Sequence, residues 1–81
     1  MQIKYYIVET ISYDGESIAS IKTKDGPFDT SADAEKAFVE IAKRYDNECV
    51  DEDNLGIVSH EGNGEIHNIL IMEAPAVKIH W

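Results

Sequence analysis

His60, Glu65 and His67 come nearest to a reactive set in this 81-residue chain. The histidines flank Glu61-Gly62-Asn63-Gly64, and Asn63-Gly64 is a hairpin signal. Any even-length loop puts both imidazoles on one face. A two-residue turn sets them directly opposite, and a four-residue loop makes them diagonal neighbours about 7–8 Å apart. Glu65 shares the parity of His67. Two imidazoles and a carboxylate on one face suit a transition metal. A fourth ligand and a Cys/His motif are missing, so the plainer reading is a polar patch at the end of a hairpin. No metal and no cofactor are assigned.

The other candidates fall in turn. The run Asp46-Asn47-Glu48-Cys49-Val50-Asp51-Glu52-Asp53 lacks the Asp-x-Asp-x-Asp-Gly order and the terminal Glu of a calcium loop. Cys49 sits inside that run, where carboxylates raise a thiol's pKa and blunt it as a nucleophile. A structural role is the expectation for it. Glu9 lies on the apolar face of its strand and is a candidate acid or base. A place at a bulge or at the uncovered end of the sheet is the favoured reading. Gly62-Asn63-Gly64 is a turn with no helix behind it, hence not a phosphate loop. No enzyme is expected.

What remains is charge. The net charge is −9 with a pI near 4.5. Residues 1–24 balance three bases against three acids, whereas the run from Asp46 to Asp53 holds five acids and no base. Such a block repels phosphate and attracts basic surfaces. With seven Lys and Arg in all, direct binding to nucleic acid is not expected. The lone Cys49 makes no internal disulfide, which points to a reducing, cytoplasmic setting. The first residues show no signal pattern, and the longest apolar run, Ile69-Leu70-Ile71-Met72, is too short to span a membrane.

Elements must position these groups. Residues 2–13 alternate, with Ile3, Tyr5, Ile7, Ile11 and Tyr13 in one parity. Asp14-Gly15 turns the chain, and residues 17–24 return. A three-residue loop pairs Ile7 with Ile21 and Glu9 with Ala19. A two-residue loop would set Ile7 against Lys22, so the longer loop is preferred. Asp25-Gly26-Pro27 breaks the strand. Thr30 and Asp33 then form a capping-box-like start to a helix over about 31–45. Ala34, Ala37, Phe38, Ile41, Ala42 and Tyr45 give it an apolar stripe. Strands over about 55–60 and 65–73 follow, and Val77 to Trp81 offer a short edge strand. The order ββαββ(β) predicts one α+β domain: a single antiparallel sheet of four to five strands with one amphipathic helix on one face.

One helix cannot shield both faces of a sheet. The preferred pairing turns Leu55, Ile57, Ile66, Leu70 and Met72 toward the helix. It leaves Tyr6, Val8, Ile18, Val58, Ile69 and Ile71 on the reverse face. A contiguous patch of that size marks an interface. Either Val77, Ile79 and Trp81 fold across it, or a second copy or another protein covers it.

With its small size, the acidic stretch Asp46 to Asp53 and a helix set between two hairpins, the chain resembles a class of small acidic inhibitors. Phages and mobile elements use these against bacterial defence systems, and anti-CRISPR proteins are among them. The resemblance implies a non-enzymatic protein that occupies a basic nucleic-acid groove of a partner, its carboxylates standing in for phosphates. On that reading Asp46, Glu48, Asp51, Glu52 and Asp53, helped by Asp29 and Asp33, contact the partner. The alternative is a homo-oligomeric accessory or structural protein, a homodimer in the simplest case, that pairs through the apolar sheet face.

Overall fold

A computed structural model of the chain describes residues 3–13 and 17–75. Five strands form one antiparallel sheet: β1 (Ile3–Tyr13), β2 (Ser17–Phe28), β3 (Val50–Asp51), β4 (Gly56–His60) and β5 (Glu65–Pro75). Their order is β2-β1-β5-β4-β3, and the helix α1 (Ser31–Ala42) follows β2. This is the α+β architecture that the sequence predicts. The fifth strand arises from the acidic run itself, as β3. The edge strand expected over 77–81 lies outside the described residues, as does the turn at Asp14-Gly15.

β5 is the central strand and β1 lies between it and β2; β1 pairs along its whole length with β5, from Ile3↔Pro75 to Tyr13↔Glu65. Both strands are rich in Ile, which suits a pleated surface shared with two neighbours. Thr30 caps α1 by accepting the Asp33 backbone N–H at 3.2 Å. Ala34, Phe38 and Ile41 then recur on one face and are buried. The helix stops at Ala42, short of the expected 45, where the Lys43, Arg44 and Tyr45 N–H groups take up its last carbonyls. Tyr45 still packs on the core from the turn beyond.

The core joins Phe38 and Ile41 to Ile7, Ile57 and Ile69, with Phe28, Val50, Leu55 and Ile71 around them. Two expectations fail here. Ile69 and Ile71 face the helix, not the reverse of the sheet. Ile66, Leu70 and Met72 take the reverse parity, because Ile57 pairs with Ile69 and His60 with Ile66. The cause is an odd-length loop: Gly64 sits at φ +86° and the Glu61 N–H bonds the Glu65 carbonyl. The same step separates the two histidines, since His67 pairs with Ser59 and His60 falls on the opposite face.

The first hairpin also shifts. Glu9 pairs with Lys22 and Thr10 with Ile21, so Ile21 leaves the helix side. One irregularity, between Ile11 and Ser12, leaves one β2 residue without a partner between Ile18 and Ser20. A second, between Ile7 and Val8, makes Lys24 the extra residue. At a third, Gly26 takes φ +110° and lies so close to β1 that a Cβ there would stand 2.9 Å from the Tyr5 carbonyl oxygen. β2 therefore runs on to Phe28 through Asp25-Gly26-Pro27, a triplet that reads as a strand breaker.

Candidate functional site

The acidic run is held against the body of the fold. A 3-10 turn over Asn47–Cys49 starts it, β3 pairs Val50 with Ile57 and Asp51 with Gly56, and a tight turn returns the chain to β4. Cys49 and Val50 pack against the core, and the Cys49 thiol, expected to be buried, is half-buried there. Asp51 organises the turn. Its Oδ1 accepts the backbone N–H of Asp53 at 3.1 Å and of Asn54 at 3.2 Å, and its Oδ2 accepts the Asn54 side-chain amide at 2.9 Å. The Asn54 side-chain and backbone bonds hold the Asp51 carboxyl below its ordinary pKa. Leu55 closes the turn at φ +52° and drops its side chain onto the core.

Asp46, Glu48, Asp51, Glu52 and Asp53 are all exposed. Among the described residues none of the five is in an ion pair. Some acids elsewhere are engaged: Asp29 with Lys4, Glu40 with Lys43, Glu9 with Lys22 and Lys24, and Glu65 with His67. Asp29 is thus neutralised by Lys4, and Asp33 serves the first turn of α1.

Between α1 and this segment runs an apolar groove of about 370 Å³. Phe38, Val39, Ala42, Val50 and Leu55 form its walls, with Lys43 and Glu52 on its rim.

A second cluster lies on the helix side of the sheet, at the end that α1 leaves open. Glu9 is only 5% exposed there, against 0% for Ile7 two residues before it. Burial acts first and pushes its carboxyl up. The bonds from Lys22 and His67 and the charge of Lys24 outweigh that and leave its pKa below the ordinary value. Lys22 Nζ stands 3.2 Å from Glu9 Oε1, and Lys24, aimed by its bulge, lies 4.0 Å from Oε2. His67 reaches Glu9 through Nδ1 and Glu65 through Nε2, each at 3.4 Å. Burial opposes charge on the imidazole, but Glu65 and then Glu9 outweigh it and raise its pKa. The parity that places Glu65 beside His67 is read correctly from sequence. Lys22 and Lys24 are the partners that sequence reasoning misses, because only the shifted register brings Lys22 opposite Glu9 and leaves Lys24 at a bulge within reach of it.

In this cluster both ring nitrogens of His67 are engaged by carboxylates, and no group of three or more His, Cys, Asp or Glu among the described residues has metal-binding geometry. The arrangement can fix a charge network and store a proton. No described helix is long and apolar enough to cross a membrane. No protein-family model, curated protein or solved structure matches this chain.

Proposed function

We propose that this chain is a non-enzymatic protein-binding module whose acidic segment engages a basic surface of another protein, as an inhibitor or nucleic-acid mimic does. One observation carries the reading: five exposed carboxylates without ion-pair partners among the described residues sit on a segment fixed by β3 and by the Asp51 turn. A fixed array of like charges loses little freedom on binding and focuses the field that steers a positive groove toward it. The likeness to anti-CRISPR-type inhibitors supports a partner whose basic surface normally holds DNA or RNA.

The test replaces Asp46, Asp51 and Asp53 by Asn and Glu48 and Glu52 by Gln. Parent and variant then capture partners from a bacterial lysate at low and high salt, with the captured proteins identified. The parent is expected to retain a nucleic-acid-binding protein at low salt and release it as the Debye length shrinks below about 8–10 Å. The variant is expected to fold and to retain nothing of that kind. Equal capture by the variant at both salts would overturn the reading.

A further inference from the structure

The face of the sheet opposite α1 is nearly free of charge in a chain where 28% of residues are charged. Along β1 it carries Tyr6, Val8, Thr10 and Ser12. Their β2 partners are Thr23, Ile21 and Ile18, and their β5 partners are Met72, Leu70, Asn68 and Ile66. Val58 continues the face onto β4. The acids and bases on these strand positions are Lys4 at one end, already paired with Asp29, His60 opposite Ile66, and Asp51 at the far edge. Solvated strand faces collect Lys, Glu and Thr, whereas this one exposes Ile18 at 64%, Ile21 at 56%, Val58 at 42% and Met72 at 40%. Val8, Thr10 and Ser12 of β1 are already buried in the single chain, so the exposed apolar surface of this face comes from its neighbours on β2, β4 and β5. One depression of about 380 Å³ lies at Tyr6, Val8, Ile21 and Met72.

We propose that a second copy of this chain covers that face, forming a two-fold dimer of back-to-back sheets. Area and charge choose this occupant. Strands of 11 to 12 residues in β2, β1 and β5, with the short β4, make a face of roughly 35 Å by 16 Å, about 550 Å². Two copies bury about 1,100 Å², above the ~1,000 Å² that separates specific interfaces from incidental contacts. A self-complementary interface sets each patch against its own copy, so a surface without net charge is the one on which two chains of charge −9 can meet. Both helices stay outside, and the acidic segments, which reach this face only with Asp51 at its far edge, remain displayed in two copies. The inference stands apart from the function proposed for that array.

Sedimentation of the full chain at micromolar concentration tests it, with Ile21→Lys and Met72→Lys as separate variants. Both sites are already exposed in the single chain, so the fold tolerates lysine there. Each variant is expected to weaken dimerisation by ~100-fold or more, the cost of an unpaired buried cation. Val39→Lys, at an exposed site on α1, should leave it unchanged. Salt acts with opposite signs on the two proposals: screening tightens a dimer of like-charged chains and weakens capture of a basic partner. In mixed labelled and unlabelled samples, nuclear Overhauser contacts from the Met72 and Leu70 methyls should cross between copies. A strictly monomeric chain, unaltered association of both lysine variants, or methyl contacts only to Val77, Ile79 or Trp81 of the same chain would overturn the proposal.

Discussion

Nδ1 of His67 lies 3.4 Å from Oε2 of Glu9, a contact made across 58 positions of sequence. It joins the two longest-paired strands on the helix side of the sheet, at the end that the helix leaves open. The imidazole is held there between two carboxylates, and Lys22 and Lys24 complete the charge around Glu9.

This bridge makes stability depend on pH in both directions. The raised pKa of His67 contributes stability that is complete below its ordinary 6.5 and is lost as pH rises through the folded value. The lowered pKa of Glu9 contributes stability that is present above its ordinary 4.5 and is lost as pH falls through the folded value. The thermal midpoint is therefore expected to peak between those two values. His67→Gln should lower the peak and flatten the alkaline limb. A parent midpoint that stays level from about pH 6 to about pH 8 would show that the bridge does not form in solution.

Phe38 and Ile21 make a paired test of which residues form the core. Phe38 is 1% exposed and Ile21 56%. Phe38→Ala should cost ~3–5 kcal/mol, a large part of the ~4–8 kcal/mol that a domain of this size commands. Ile21→Ala should change stability by less than ~1 kcal/mol at concentrations where the chain is monomeric. Urea titration of both variants reads the difference directly. Equal losses would place Ile21 in the core, as the unshifted hairpin register requires.

Gly26→Ala tests the register itself. The new methyl would meet the Tyr5 carbonyl oxygen at 2.9 Å and the Tyr6 Cα at 3.1 Å, at a φ of +110° that side chains rarely adopt. Backbone lies on the other side of the contact, so neither atom can swing away. A loss of more than ~1 kcal/mol is expected in the same titration. A neutral substitution would mean that β2 does not cross β1 so closely.

The helix was legible because its signals are local: Thr30 caps, and Ala34, Phe38 and Ile41 repeat at its period. The strands were legible as elements but not as partners. Parity flips with a single residue, and the bulge between Ile18 and Ser20 and the odd loop ending at Gly64 each insert one. Hence Ile69 and Ile71 moved to the core while Ile21, Leu70 and Met72 moved out. The acidic segment was visible as composition, yet its order was not, because a run of carboxylates reads as a solvated loop. Asp51 followed by Asn54 three residues on is the local turn signal that could have found it.

Asp51 and Glu52 should fail in different ways if the acidic segment is the binding surface. Asp51 spends its carboxylate on the turn, accepting from Asp53, Asn54 and the Asn54 amide, whereas Glu52 is exposed. Glu52→Gln removes a charge and keeps the geometry. It should slow association with a basic partner and reduce the salt dependence of that rate, leaving dissociation nearly unchanged. Asp51→Ala removes a charge and the tether together, so the freed segment must be ordered again on binding. Its association should slow by a similar factor and its dissociation should quicken by several-fold. Surface plasmon resonance against a captured partner, at two salt concentrations, separates the two effects. Faster hydrogen exchange at the Asp53 and Asn54 amides in Asp51→Ala confirms independently that the tether has been cut. If Asp51→Ala loosens those amides and dissociation stays at the parent rate, the ordered turn contributes nothing to binding and the charge alone carries it.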